Sequence, residues 1–463
     1  MRLPLPKALR GVMRLPGLFS VSLLLSVSLL SSPSLAMNIQ KVVSPKGIEA
    51  WLVEDHTLPM LSMQFGFHGG SAQDPAGKEG LAYFVSGMLD EGAGDIKSQE
   101  FQEKLQELAI DMSFESSADA FTGGIKTLSE NRDEAFRFLR LVLTSPRMDQ
   151  DAVDRVRQQI HSIIKANSED PETVARQTWF ANVFKDHAYG NPEKGTEASL
   201  DAITPVDLNS YVDNTFARSN LKIAVVGDIN AEQLAPALDT IFGDLPEDPK
   251  LAEIPEANWK IAGSQVVVPM ATPQTVVTFG FPGPLRHDPD FYATYVLNYI
   301  IGGGGFSSRL MEEVREKRGL AYSAYSYLNP LDHAGVCLGG VATKNERARE
   351  SIEVVKSVLE DIAKNGPTEE ELEDAKRYLT GSYALRFSSS MRVASIVLWV
   401  QLEDLGIDYI EKRNGLIESV QLDDVKQAAS LIDPKDMFIT IVGQPDGIET
   451  PDKPAVSNSP PRG

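Results

Sequence analysis

The 463-residue chain carries 65 Asp and Glu against 44 Lys and Arg, a formal charge of −21. An acidic surface of this kind repels phosphate backbones and anionic lipid, which argues against nucleic-acid or membrane-surface binding. The single cysteine, Cys337, leaves no internal disulfide, and within VCLGG it reads as a small buried apolar residue.

The N-terminus sets Arg2, Lys7, Arg10 and Arg14 ahead of the apolar run LFSVSLLLSVSLL and closes on Ser34-Leu35-Ala36. A basic start, a short apolar core and small residues at the cleavage positions make residues 1–36 a secretory signal peptide. The core is shorter than the roughly 20 residues a bilayer crossing needs, so no membrane insertion is expected. No Cys flanks the cleavage site, which argues against a lipid anchor. The expected destination is the periplasm, with plain secretion as the alternative. Cleavage removes four basic and no acidic residues, taking the charge from −21 to near −25.

The mature chain exceeds one core and matches itself at an offset of 214 to 216 residues. Gln64-Phe65-Gly66-Phe67 followed by Asp74-Pro75 recurs as Thr278-Phe279-Gly280-Phe281 followed by Asp288-Pro289. Gly123-Gly124 recurs as Gly339-Gly340, and KIAVVGD (222–228) as FITIVGQ (438–444). Two copies of one fold follow, at 37–244 and 263–446, joined by a linker rich in Pro and charge at 245–262 and trailed by a disordered tail at 447–463.

Within each copy, SMQFGFHGG, QTVVTFGFPG and KIAVVGD are short alternating or β-branched runs bounded by Gly and Pro, which predict strands. Helices are predicted over 131–142, 151–166, 346–364 and 368–385, with starts marked by Thr204-Pro205 and by Thr368 before Glu371. Strands mixed with helices, without strict βαβ alternation, give an α+β class with helices on one face of each sheet.

Two segments carry the chemistry. GLAYFVSGMLDEG (80–92) resembles the zinc-binding element of the pitrilysin/insulinase family, which reads GLAHFLEHMLF. GGGGFSSRLMEEVREKRGLAY (302–322) resembles that family's substrate-gripping segment. The HAYGNPEKGT run (187–196) is similar to its Tyr-Gly…Gly-Thr element. The resemblance spans nearly the whole mature chain and implies duplicated α+β units forming half of a clamshell around a peptide.

A hydrolytic zinc site needs three ligands, an open position for water and a carboxylate base. His residues four apart on a helix share the ion, and here those positions are Tyr83 and Gly87, with Ser86 at the place of the base. The family's third ligand falls near Ile163 when Asp170-Pro171 is the anchor, and residues 155–165 contain no Asp or Glu. His161 alone reads as part of a solvated helix face. His56, His68, His187, His287 and His333 form no ligand spacing. Neither metal nor cofactor is expected in this chain.

The glycines at 302–305 lack the Gly-Lys-Ser/Thr ending of a phosphate loop and read as a tight turn where another backbone comes close. Residues 309–318 predict a helix stopped by Gly319, and 320–328 a strand. Read alone, Glu312, Glu313, Arg315, Glu316, Lys317 and Arg318 are a solvated charged face. In the FSSRLxxxxRxxxGLAY spacing, the resemblance makes Arg315 and Tyr322 the residues that hold substrate backbone. It implies a non-catalytic subunit of a heterodimeric zinc metallopeptidase, positioning unfolded peptide for a homologous partner that carries the zinc. The alternative is an inert assembly or peptide-binding protein on the same clamshell fold.

Overall fold

The computed structural model describes residues 37–259 and 263–448; the signal-peptide segment and nearly all of the expected tail lie outside them. The first sheet contains β1 (Gln40–Val43), β2 (Glu49–Glu54), β3 (Met60–His68), β6 (Asp111–Ser116), β7 (Ala120–Leu128) and β8 (Leu221–Gly227). Its order is β1-β2-β8-β3-β7-β6, and β4 (Gly92–Ala93) and β5 (Ile96–Lys97) form a separate small ribbon. The second contains β9 (Gln265–Pro269), β10 (Gln274–Pro282), β11 (Ala321–Leu331), β12 (Ala334–Lys344) and β13 (Phe438–Gly443), in the order β11-β12-β10-β13-β9. Each sheet is antiparallel except for one parallel pair, β2 with β8 and β13 with β9. Strand for strand the two sheets correspond, with β1 as the extra member of the first.

The repeated residues occupy equivalent places. Phe65 pairs with Gly123 across β3 and β7, and Phe279 pairs with Gly339 across β10 and β12. In both sheets the ring lies across the glycine, because an added Cβ would stand 2.2 Å from the ring's Cζ. The Phe-Gly pairing is therefore a packing unit that both copies keep.

Both faces of the central strands are buried, which the alternating pattern alone does not provide for. One face is covered by the copy's own helices, the other by a helix from the opposite copy. Helix Pro171–Val183 lies on β10 and β13, while helix Ser390–Leu402 lies on β3 and β8. The exchange is anchored at equivalent glycines: Trp179 packs over Gly280 and Leu402 over Gly66. Trp179 is fully buried, and its Nε1 donates to the Phe438 carbonyl at 3.1 Å. Gln401 Nε2 donates to the Ile223 carbonyl at 2.9 Å in return. Helices thus sit on both faces of each sheet, which adds to the one-face expectation.

At the seam, the tips of the two equivalent hairpins meet. The Asp119 carboxylate accepts from the Tyr189 hydroxyl at 2.6 Å and from the Asp332 backbone N–H at 3.2 Å. Residues 245–259 run between the halves without helix or strand, and Ala252 exchanges two hydrogen bonds with Gln73 (2.7 and 3.0 Å). The helices fall where the sequence places them: Arg132–Thr144, Gln150–Glu169, Ala348–Asn365 and Glu369–Gly381. Thr368 accepts from the Glu371 N–H at 3.2 Å, completing the predicted cap.

Candidate functional site

The frame around the expected metal position is in place. Asp74 accepts from the backbone N–H groups of Gly80 (2.8 Å) and Ala82 (2.9 Å) and so fixes the entry of the short helix Leu81–Ser86. Burial pushes the Asp74 carboxyl up to about 7 in spite of those bonds. The Ser199 hydroxyl donates to the Glu79 carbonyl at 2.7 Å, and a Cβ on Gly195 would stand 2.1 Å from that same oxygen. The Gly-Thr element thereby supports the residues leading into the helix.

The residues on that helix do not fit a zinc ion. Tyr83 is half-buried with Lys194 Nζ 5.2 Å over its ring, and burial raises its phenol above the ordinary value. The Ser86 hydroxyl donates back to the Tyr83 carbonyl at 2.7 Å, which commits it within the turn. At half-buried Gly87 an added Cβ would stand 3.2 Å from Val156 Cγ1, so a side chain there requires Val156, on helix Gln150–Glu169, to give way by a few tenths of an ångström. The same helix carries Ile163 at the third position. Its His161 is half-buried, and Nε2 lies 3.3 Å from an Asp201 carboxylate oxygen. Among the described residues no group of three or more His, Cys, Asp or Glu side chains is placed to hold a metal. Cys337 is buried and its thiol is pushed up to about 12 by that burial.

The second segment is built differently. Tyr299–Gly303 forms a π-helical turn against β11, where a Cβ on Gly302 would stand 2.4 Å from the Ser326 nitrogen. Asn298 Nδ2 donates to the Ser326 carbonyl at 3.3 Å, and the Ala324 N–H donates to Met311 Sδ at 3.3 Å. This part of the outer edge of β11 is therefore covered, which blunts it against stray strand pairing. The expected helix over 309–318 is a π-helical turn at Met311–Glu316. Gly319, at φ +59°, ends it: its N–H donates to the Arg315 carbonyl and that of Leu320 to the Val314 carbonyl, both at 2.9 Å. The register of β11 against β12 then slips between Ala321 and Ala324, a bulge that re-aims Tyr322.

The outcome is a stack. The Arg315 guanidinium carbon lies 4.6 Å from the centroid of the Tyr322 ring and 4.6 Å from that of Phe306. Tyr322 is 80% exposed and Phe306 65%. The neighbouring charges are occupied with one another. Lys317 pairs with Glu312 (3.0 Å) and Glu313 (2.6 Å), and Arg318 also pairs with Glu313. The solvated-face reading describes those residues and leaves Arg315 apart, without a carboxylate partner among the described residues. A planar fork of N–H donors beside a phenol hydroxyl is suited to holding a carbonyl and stabilising negative charge that develops on its oxygen.

Sequence reasoning missed two residues here. Arg309 bridges to Glu371 (2.6 and 2.8 Å), to Asp361 (2.8 Å) and to the Gly366 carbonyl (3.2 Å), which pins the segment to the helices behind it. Phe306 is the second ring in contact with the Arg315 guanidinium. Neither shows in spacing, because the partners lie about fifty residues away or across a turn. A separate cavity of about 680 Å³ lies between the halves and is lined by Asp119, Asp332 and Glu403 among others. Burial raises all three carboxyls, Glu403 up to about 7.

Residues 51–197 match the model of the insulinase family, peptidase family M16, and residues 202–379 match that of the peptidase M16 inactive domain. The protein named non-peptidase homolog YmxG from Helicobacter pylori is 30% identical over 334 residues, 72% of this chain and 77% of that protein. The chain belongs to the M16 family. An uncharacterized zinc protease from Streptomyces coelicolor is similar to the M16 chain at 24% identity over 418 residues, covering 88% of this chain and 90% of its own. The crystal structure of a peptidase M16 inactive domain from Pseudomonas fluorescens matches with a TM-score of 0.83 at 28% identity, covering 89% of this chain and 99% of that one. A Helicobacter pylori protease shares the fold at a TM-score of 0.78 and 19% identity, over 88% and 99% of the two chains. This M16 chain thus has the two α+β domains that its internal repeat and its resemblance imply.

Proposed function

We propose that this chain is the non-catalytic subunit of a periplasmic heterodimeric zinc metallopeptidase, binding and positioning unfolded peptide for a zinc-bearing homologue. The observation that carries the reading is the contrast within one chain. At the zinc positions, Tyr83 lies under Lys194, Ser86 is bonded into its own turn and Gly87 has no side chain, while half-buried Arg315 lies against exposed Tyr322 with no ion pair among the described residues. In the pair, Arg315 donates to a backbone carbonyl of the peptide near the bond to be cut, and Tyr322 adds its hydroxyl to the same group. The partner supplies the metal and the base.

The test is a cleavage assay on fluorescent unfolded casein with this chain alone, the zinc-motif homologue from the same cell alone, and the two mixed. Cleavage that requires both supports the proposal. Full activity from the homologue alone, unchanged on mixing, overturns it in favour of the inert assembly protein.

A further inference from the structure

The peptide-holding reading leaves Phe306 unused, although its placement is odd for an apolar ring. It is 65% exposed, joins no aromatic pair among the described residues, and makes its ring contact with the Arg315 guanidinium. Isolated exposed apolar residues need no explanation, but this one lies in a turn that is fixed from both sides. The Ser308 hydroxyl ties back to the Gly305 carbonyl at 2.7 Å, and Arg309 is clamped to Glu371 and Asp361.

We propose that Phe306 is a positioning residue for the gripping site, holding Arg315 so that its guanidinium N–H groups stay free to donate to a ligand oxygen. The argument is geometric and rests on the reading above for what the ligand is. Guanidinium hydrogen bonds form in the plane of the group. The guanidinium carbon lies 4.6 Å over each of the two rings, and contact with both restricts where its N–H donors can point. Without Phe306, Arg315 is free to swing toward Glu312, one helical turn back, and to spend its donors there. Contact with both rings keeps the fork available to an extended backbone carbonyl.

The experiment uses the full mature chain with labelled arginine side chains. The Arg315 Nε–H resonance, identified by its loss in Arg315→Lys, carries the ring-current shift of the two aromatic neighbours. Phe306→Leu moves that resonance toward the free-arginine position and weakens binding of a fluorescein-labelled oxidised insulin B chain by about two- to fivefold, the range for an exposed cation–π contact. Phe306→Trp preserves both. With Arg315→Ala already present, Phe306→Leu adds nothing further, since its effect runs through the guanidinium. An Arg315 resonance unmoved by Phe306→Leu, or an equal loss of binding with Arg315 absent, overturns the proposal. Should the wild-type chain fail to bind the probe while the resonance still moves, the peptide-holding reading fails and the positioning role of Phe306 stands.

Discussion

The helix at Leu81–Ser86 and the turn at Met311–Glu316 lie in the two copies of one fold, yet they are kept in opposite states. The first lacks the family's ligands, and its half-buried positions are taken up by local contacts: Gly87 close to Val156, Ser86 bonded into its own turn, Lys194 over Tyr83. The second holds a guanidinium with no ion pair among the described residues and two exposed rings, features that burial and charge pairing would remove if stability alone governed them. The second segment is held from behind by contacts such as Arg309 with Glu371.

The strongest way to break the comparison is to separate the copies. Trp179→Ala removes a fully buried indole from the sheet of the opposite copy and is expected to lower stability by about 3–5 kcal/mol, read from urea unfolding. It should loosen both regions together. Next comes the grip itself: Arg315→Ala should lower the activity of the reconstituted pair by about 10²–10³ in kcat, and Tyr322→Phe should lower it too, with the pair still assembling on gel filtration.

The closed site is tested by trying to reopen it. The triple change Tyr83→His, Ser86→Glu, Gly87→His restores the family residues on the helix, but Ile163 supplies no third ligand and Val156 crowds position 87. Overpacking is expected to cost about 1–3 kcal/mol, and metal analysis should find no stoichiometric zinc. Tight zinc binding by this variant would show that the frame alone suffices.

The smallest effect concerns the seam. Glu403 faces Asp332, Asp119 and Asp404, with Arg286 opposing them, and its carboxyl is pushed up to about 7 by burial first and those acids second. A carboxyl raised in the folded state contributes most below its unfolded value near 4 and loses that contribution as pH climbs to 7. Glu403→Gln should therefore stabilise the chain at pH 8 by roughly 1–2 kcal/mol, after allowance for the water that reaches the cavity, and change little at pH 4. Equal effects at both pH values would remove the carboxyl as the cause.

Much of this was legible in the chain. The duplicated architecture follows from the repeat, because Phe65 with Gly123 and Phe279 with Gly339 make the same packing unit twice. The degenerate metal positions Tyr83, Ser86 and Gly87 follow from the resemblance to the family's zinc-binding element, compared residue by residue. The exchange of helices between copies was not legible. Helical periodicity marks Trp179 as facing something apolar without saying which sheet covers it. The π-helical turns and the Phe306 stack were hidden for a related reason, since both depend on contacts with β11 and with helices far along the chain. The role of Arg309 was hidden too, since Glu371 and Asp361, which clamp it, lie far along the chain.

The most direct measurement is co-purification of the tagged chain from the cells that make it, with mass spectrometry of whatever accompanies it. The account predicts a near-stoichiometric homologue carrying His-x-x-Glu-His, in a complex that cleaves unfolded peptide. A homodimer, or an assembly without such a homologue, would contradict it.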